Sequence, residues 1–298
     1  MIKFLVLGDF HGKFSKKFEI IIKREKIDLV VSVGDYVPFH YRKLWFKHCF
    51  GKDIGLWEII GKKKYKELIL KDLNMAEVAL RSLNKLHVLV FTVLGNTDYP
   101  LADDVMDEKK KRGKEYYKFE WDRPKLFLDR LKKYRNIRRF DYSHIKFNNI
   151  IFIGMRGHSF PGRVKSKAYK KHNKILNDLF NKFKKENKKG KVIFVSHIPP
   201  INTRLDKIGT KAHKRVRGTH RGSKLVRRII ERHQPLLHLC GHVHESCGKD
   251  NIGKTLTINV GSAYEGQGVL IELDENKGKI SYKRIPSTMA KKSYILNS

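Results

Sequence analysis

Short apolar runs alternate with amphipathic segments along most of this 298-residue chain. Ile2–Leu7 and Leu29–Val33 are apolar runs of strand length, and residues 14–26 between them have apolar side chains at helical spacing. Both runs end in Gly-Asp. The pattern therefore predicts a βαβ unit with carboxylates at the carboxyl ends of its strands, where open α/β sheets place their ligands.

The same alternation continues to about residue 285. Three closing strands are predicted to pair antiparallel, because short turns separate them and their side chains alternate. We expect one domain over residues 1–285, with insertions at about 36–61 and 99–135 and a loosely attached tail over 286–298. Further helices are predicted over about 65–86, 124–134, 169–187 and 222–232, further buried strands over 88–94, 149–154, 191–196 and 235–240, and the closing strands over 255–260, 268–273 and 279–284.

Composition narrows the class of protein. The apolar fraction is 40%, which is typical of a folded globular chain, and no apolar run approaches the ~18 residues of a membrane span. The first strand runs directly into Gly-Asp and is not predicted to be a signal peptide. Three cysteines without a Cys-x-x-Cys pair favour a reducing, cytoplasmic setting.

The net charge of +35, from 65 Lys+Arg against 30 Asp+Glu, leaves two interpretations open. Such a field attracts phosphates and nucleic acid. The lysines are spread over the whole chain, however, as they are in proteins of lysine-rich proteomes.

The stretch Leu239-Cys-Gly-His-Val-His244 ends a predicted buried strand with two histidines, His242 and His244. Side chains at i and i+2 of an extended segment point to the same side, so both imidazoles are expected to reach one metal site. A His-x-His pair alone is a weak signal.

Polar side chains also follow four other predicted strands. Two divalent metals need about this many nitrogen and oxygen ligands, with one carboxylate shared between them. A two-metal site can hold a bridging hydroxide and neutralise phosphate oxygens during in-line attack. The complete set is Asp9, His11, Asp35, Asn96, His197, His242 and His244.

The order Asp-x-His, Gly-Asp, Gly-Asn, His, Gly-His-x-His resembles the calcineurin-like metallophosphoesterase superfamily from residue 1 to about 285. The resemblance implies an α/β fold, a four-layer α/β/β/α sandwich with mixed sheets and a dinuclear centre at the sheet edge. Manganese is favoured, although such ligands also accept iron, nickel, cobalt or zinc. By the resemblance, one metal is held by Asp9, His11 and His244, a second by Asn96, His197 and His242, and Asp35 bridges them.

The last third of the chain resembles the archaeal Icc-like branch and related cyclic-nucleotide phosphodiesterases. The matching stretches are Ser196-His-Ile-Pro-Pro200, Thr203-Arg-Leu-Asp206, Gly222-Ser-Lys, Gln234-Pro235 and Gly241-His-Val-His-Glu245. This resemblance favours a phosphodiester, such as a cyclic nucleotide, over a monoester.

One position departs from the family pattern. Many members have histidine after the motif asparagine, where this chain has Thr97 followed by Asp98. A threonine hydroxyl can donate a hydrogen bond but is a poor general acid. Asp98 or a histidine from an insertion could supply the proton, and Asp98 is also expected to orient the site.

Thr97, His158, Arg204 and Arg217 are the candidate substrate-binding residues, and His40 is a weaker one. Arg204 and Arg217 belong to a basic segment between two ligand motifs, which could attract phosphate or simply be a solvated face.

The sequence therefore predicts a metal-dependent phosphodiesterase that acts on a phosphorylated small molecule or nucleotide, with Asp35, Asn96 and Asp98 as its catalytic residues. A nuclease of the same superfamily is the nearest rival, because of the positive charge. A catalytically weak scaffold that binds nucleic acid or a protein partner is another, because of Thr97. A structural zinc protein is disfavoured, since no cysteine-rich tetrahedral set is present.

Overall fold

Two six-stranded β-sheets form the centre of the computed structural model. It describes residues 1–52, 54–100, 118–157, 164, 166–210, 212, 214 and 216–287. The strands are β1 (Ile2–Leu7), β2 (Leu29–Ser32), β3 (Leu89–Thr92), β4 (Ile137–Arg139), β5 (His144–Phe147), β6 (Ile150–Met155), β7 (Val192–Ser196), β8 (Leu237–Cys240), β9 (Gly248–Ile252), β10 (Thr255–Asn259), β11 (Gly268–Asp274) and β12 (Lys279–Ile285).

Each sheet has a parallel centre. The first sheet has the order β12-β11-β1-β2-β3-β4, in which β1 to β4 are parallel and β11 and β12 are antiparallel additions. The second has the order β5-β6-β7-β8-β10-β9, with a parallel centre from β6 to β10 and antiparallel edges. The carboxyl ends of the parallel strands in each sheet therefore meet along one edge of that sheet.

Helices cover the outer face of each sheet, and the inner faces pack on each other. Alternation along β1 shows the arrangement: Phe4 and Val6 join the core between the sheets, while Leu5 and Leu7 join the core beneath the helices. The described helices are α1 (Lys16–Arg24), α2 (Arg42–His48), α3 (Leu56–Ile60), α4 (Lys62–Asn84), α5 (Lys118–Leu131), α6 (Lys167–Lys182), α7 (Lys184–Lys188) and α8 (Lys224–His233).

Three apolar clusters correspond to the three interfaces of a four-layer sandwich. The first joins α1, α4 and α5 to one sheet, and the third joins α6 and α8 to the other. The second lies between the sheets, where the rings of Phe4 and Phe152 meet edge to face with centroids 6.0 Å apart. The predicted α/β/β/α architecture is confirmed.

The prediction for the closing strands was partly wrong. β11 and β12 pair antiparallel, as expected, but β10 lies in the other sheet, parallel to β8 and antiparallel to β9. β9 was not predicted, because its sequence Gly-Lys-Asp-Asn-Ile is largely polar, as befits an edge strand exposed on one side. The edge strands β4 and β5 were missed for the same reason.

Several helix boundaries also differ from the prediction. The helix expected over 169–187 is interrupted at Phe183 and forms α6 and α7. α5 begins six residues before Pro124, which lies inside the helix. The irregular segment 36–61 contains α2 and α3, whereas most of the expected tail and residues 101–117 of the second insertion lie outside the described residues.

No helix in the described part of the chain combines the length and the apolar character that a membrane crossing requires.

Candidate metal centre

Two loops that leave neighbouring strands of the first sheet are hydrogen-bonded to each other beyond the strand ends. The N–H groups of Asp9, His11 and Gly12 donate to the carbonyls of Gly34, Asp35 and Tyr36 at 2.8, 3.0 and 2.8 Å. The parallel pairing of β1 and β2 thus extends into the loops. It fixes the backbone positions of Asp9, His11 and Asp35 relative to one another.

Four of the predicted ligands have a left-handed backbone. The φ angles are 55° at Asp9, 43° at His11, 60° at Asp35 and 72° at His242. Side-chain-bearing residues adopt this region at a cost, and such residues cluster at functional sites. The strain marks this edge of the sheets as a site whose geometry is held by its surroundings.

Asp98 ties the loop of Asp35 to the end of β3. Its carboxylate accepts hydrogen bonds from the N–H groups of Asp35, Tyr36, Val37 and Gly95 at 2.7 to 3.0 Å. The side chain is buried.

Burial and the nearby Asp35 carboxylate raise the pKa of Asp98 to about 7, whereas the four donors favour the ionised form. These contacts fit the predicted orienting role. They do not favour the predicted role as proton donor, because each carboxylate oxygen already accepts two backbone hydrogen bonds.

The first donor group consists of Asp9, His11 and His244, whose ligand atoms lie within 4.8 Å of one another. His244 Nε2 lies 3.0 Å from Asp9 Oδ1 and 3.4 Å from His11 Nε2. The other ring nitrogen of His11, Nδ1, lies 3.3 Å from the carbonyl oxygen of Val37. This contact orients the ring so that Nε2 faces the group, as backbone partners of metal-binding histidines do.

The second donor group consists of Asp35, His197 and His242. His197 Nε2 lies 3.4 Å from Asp35 Oδ2 and 2.9 Å from Asn96 Oδ1, so the predicted ligand Asn96 also faces this group. His197 Nδ1 lies 2.8 Å from the carbonyl oxygen of Val33, which again leaves Nε2 toward the group.

The two groups adjoin and draw on both sheets. The N–H of His242, in the second group, donates to Asp9 Oδ2, in the first, at 3.0 Å. Two motif glycines permit this closeness: a Cβ on Gly241 would overlap the Asp9 carboxylate, and a Cβ on Gly95 would overlap that of Asp35. The Gly-His and Gly-Asn pairs of the sequence therefore have a direct steric reason.

His242 and His244 do not serve one group, contrary to the expectation from their i, i+2 spacing. The left-handed backbone of His242 and the short 3₁₀ turn His244–Ser246 end the extended conformation directly after β8. The two rings therefore diverge, one toward each donor group. This matches the division that the family resemblance implied.

Opposite charges dominate the electrostatics of the centre. Burial raises the pKa of Asp9, but His244 and His197 outweigh it, so the pKa falls below its usual value. Burial lowers the pKa of His197, but Asp35 and Asp9 overcome it and raise the pKa to about 9. Burial and the proximity of His197 lower the pKa of His242 to about 3. Asp9 is therefore ionised, and His197 is protonated, at neutral pH.

The donor set fits two divalent metal ions. Carboxylate oxygens and oriented imidazole nitrogens are converged in two adjoining groups, which is the ligand chemistry of manganese, iron, cobalt, nickel and zinc. Asp9, His11 and His244 would hold one ion, and Asp35, Asn96, His197 and His242 the other. That Asp35 bridges the two ions remains a prediction.

Metal affinity should increase with pH up to about 9. A metal ligand must be a neutral imidazole, whereas the pKa of His197 in the metal-free protein is raised to about 9 and that of His244 is also raised. Below that pKa, each unit of increase in pH should lower the apparent Kd about tenfold for every proton that the metal displaces. Titration of the metal-stripped protein with Mn²⁺ at several pH values would measure the slope.

The His40→Gln variant is the control for this slope, because it removes an exposed histidine outside both donor groups. It should leave the slope unchanged. An apparent Kd that is constant between about pH 6.5 and 8 would contradict the assignment.

Most of the predicted substrate-binding residues remain predictions. Thr97 donates its N–H to Asp35 Oδ1 at 2.8 Å, and its buried hydroxyl has no hydrogen-bond partner among the described residues. Arg204 and Arg217 are exposed on the loop that follows β7. The Nδ1 atom of His40 lies 2.6 Å from Asp72 on α4. His158, with Lys211 and Arg215 of the basic segment, lies outside the described residues.

The loop after β10 belongs to the site but was not predicted. Ser262 Oγ and the N–H of Tyr264 donate to the carbonyl of Asp9, both at 3.1 Å. Asn259 donates to the carbonyl of Val243, between the two histidines, at 2.9 Å. The prediction placed β10 in an antiparallel set, so its carboxyl end was not considered. The Asn-Val-Gly-Ser sequence after an apolar run was the available signal.

Parallel strands from two packed sheets deliver two adjoining groups of carboxylate and imidazole donors, which together form a candidate dinuclear metal centre. The chain belongs to the calcineurin-like phosphoesterase family, whose model matches residues 2–246.

Three individual proteins that resemble this chain carry no activity in their names. An uncharacterized protein of Methanocaldococcus jannaschii is 32% identical over 139 residues, which is 45% of this chain and 60% of that protein's length. One solved structure superposes with a TM-score of 0.64 at 22% identity, covering 95% of this chain and 98% of that chain. A Thermus thermophilus structure superposes with a TM-score of 0.49 at 15% identity, over 95% of this chain and 98% of that chain.

Proposed function

We propose that this protein is a phosphodiesterase that uses two divalent metal ions, preferably manganese, to hydrolyse a cyclic nucleotide or a related small phosphodiester. The observation that carries the proposal is the pair of adjoining donor groups, Asp9–His11–His244 and Asp35–His197–His242, with Asn96 beside the second. When bound, two such ions would neutralise phosphate oxygens and activate the attacking water. The cysteine content also leads us to propose that the reaction takes place in the cytoplasm.

Hydrogen bonds within the folded protein would orient the side chains of this centre before substrate binds. Asp98 holds the Asp35 loop through four backbone donors, and the carbonyls of Val33 and Val37 orient two imidazoles. Because these supports are present in the folded chain, little reorganisation is required when substrate binds. Thr97 in place of a histidine removes one proton donor, which favours esters whose leaving group departs readily.

The preference for a diester rests on the segment that resembles cyclic-nucleotide phosphodiesterases. Buried Asp206 organises this segment by accepting hydrogen bonds from Thr203 N, Gly222 N and His220 Nδ1 at 2.7 to 2.9 Å. The loop that follows also contacts the turn that carries His244, since Gly209 N donates to Glu245 Oε1 at 2.9 Å. The loop that follows the resembling stretch Thr203–Asp206 therefore touches the turn of His244, which supports a role for this segment in substrate selection.

Metal-dependent hydrolysis tests the proposal directly. Metal-stripped protein should hydrolyse bis-p-nitrophenyl phosphate when Mn²⁺ is restored, and should hydrolyse p-nitrophenyl phosphate more slowly. Competing 2′,3′- or 3′,5′-cyclic nucleotide should inhibit the reaction. Faster hydrolysis of the monoester would overturn the diester preference. Absence of hydrolysis despite two bound metals would overturn the enzymatic proposal.

The salt dependence of the reaction distinguishes the rival nuclease function from a small-molecule phosphodiesterase. The exposed arginines of the loop beside the His244 turn could contact a nucleic-acid backbone. Cleavage of single- or double-stranded nucleic acid that declines steeply with added salt, together with weak activity on small diesters, would favour the nuclease.

A further inference from the structure

An exposed tyrosine stands beside the first donor group. The parallel pairing of β8 and β10 places the loop after β10 at the same sheet edge as the loop of His242 and His244. In this loop Ala263 N donates to the carbonyl of Gly8 at 2.8 Å, and Tyr264 N donates to that of Asp9 at 3.1 Å. Tyr264 is therefore attached to the backbone of a predicted metal ligand, yet its side chain is 39% exposed.

The loop that presents Tyr264 is internally braced. Within it, Gln267 Oε1 accepts a hydrogen bond from Ser262 N at 2.9 Å, and Gln267 N donates to the carbonyl of Ser262 at 2.9 Å. A 3₁₀ turn covers Ala263–Glu265. A rigid loop that is bonded to the backbone of a predicted metal ligand and holds a large aromatic side chain in solvent is suited to binding, because little conformational entropy is lost on contact with a ligand.

Lys13 completes the arrangement. It lies two residues after His11 in the loop that leaves β1, and its ammonium lies 5.2 Å from the centroid of the Tyr264 ring. The side chain of Lys13 is exposed. The same pairing of lysine with tyrosine occurs between Lys249 and Tyr282, at 5.5 Å, on strands β9 and β12. That pair has no backbone bond to a donor group among the described residues, so the two pairs differ in position and not in chemistry.

We propose that Lys13 and Tyr264 form a binding wall for the ester group of the substrate, and that this group is a nucleoside. The Tyr264 ring would stack on the base, and the Lys13 ammonium would pair with a phosphate oxygen. A nucleotide combines a flat aromatic base with a phosphate anion, and the wall offers one partner for each. This inference rests on the proposed phosphodiesterase function and adds to it the two residues that would recognise the base and the phosphate.

Stacking and charge make separable contributions. Stacking of a base on an aromatic side chain contributes roughly tenfold or more to affinity, and it requires the ring and not the tyrosine hydroxyl. A single exposed lysine attracts any phosphate, whether or not a base is attached. A variant without the ring should therefore lose only the preference for a base, whereas a variant without the ammonium should lose affinity for every phosphate ligand.

Equilibrium dialysis of the Mn²⁺-loaded protein with adenosine 5′-monophosphate and with ribose 5-phosphate tests the wall without requiring turnover. Tyr264→Leu should weaken binding of the nucleotide about tenfold and leave ribose 5-phosphate unchanged, while Tyr264→Phe should bind both like the wild type. Lys13→Ala should weaken both ligands. Lys249→Ala, which removes the same charge from the matched pair, should weaken neither.

The outcomes separate this inference from the proposed function. Equal affinities of the Tyr264→Leu variant and the wild type for the nucleotide, with unfolding midpoints also equal, would overturn the wall. Loss of the base preference in Tyr264→Leu would support it. If Tyr264→Leu loses the base preference but the wild type shows no metal-dependent diester hydrolysis, the proposed function fails and the binding wall stands.

Discussion

The Asp35→Ala variant should bind fewer than two metal ions per chain and lose essentially all phosphodiester hydrolysis, a decrease of about 10³-fold or more. Asp35 belongs to the second donor group, and its backbone carbonyl accepts the N–H of His11 from the first. Its carboxylate also lies 3.4 Å from His197 Nε2. Removing the carboxylate takes away the negative charge that balances His197, so the second group should lose most of its affinity for a cation.

Metal content by elemental analysis, together with the rate on bis-p-nitrophenyl phosphate, would measure this effect. Asp178→Ala is the control, since Asp178 is an exposed aspartate on α6 that pairs only with Lys174 among the described residues. It should retain two metals and full activity. Wild-type hydrolysis by Asp35→Ala would refute the two-metal assignment.

The Asp98→Ala variant should have the largest effect on stability. It leaves four backbone N–H groups without their acceptor in a buried loop. Each unsatisfied buried donor costs about 1–3 kcal/mol, so we expect the free energy of unfolding to fall by about 4 kcal/mol or more. That is a large share of the roughly 5–15 kcal/mol available to a typical domain.

Urea unfolding of the metal-stripped protein would isolate this effect from metal binding. Asp98→Asn keeps one side-chain acceptor oxygen and should lose about half as much stability as Asp98→Ala. A loss below about 0.5 kcal/mol in Asp98→Ala would mean that water replaces the carboxylate and that the loop is not held as described.

The predicted donor residues lie together in the structure because each one follows a buried strand. Apolar runs such as Leu29–Val33 are recognisable, and parallel strands bring their carboxyl ends to one edge regardless of strand order. The polar strand β9 could not be recognised from apolar periodicity. Once it was missed, the parallel neighbour of β8 was mistaken for part of an antiparallel set.

Contacts with the backbone were beyond prediction from residue types. The role of Asp98 depends on four N–H groups that any residues could supply, so nothing in the neighbouring side chains indicates it. The separation of His242 from His244 depends on the left-handed φ angle of His242 and the 3₁₀ turn that begins at His244, whereas the i, i+2 argument assumes an extended chain. In both cases the role of the side chain depends on the local backbone conformation and on hydrogen bonds to Asp9 or Asp35.

The hydrogen bond between Asp9 and His244 joins residues 235 positions apart. Closing a loop of that length carries an entropy cost that local contacts cannot repay, so this contact should form late in folding. A chain still emerging from the ribosome has already made β1 and its Asp9, but it cannot complete the first donor group until His244 has been synthesised. Metal capture by the first group should therefore be confined to the finished chain.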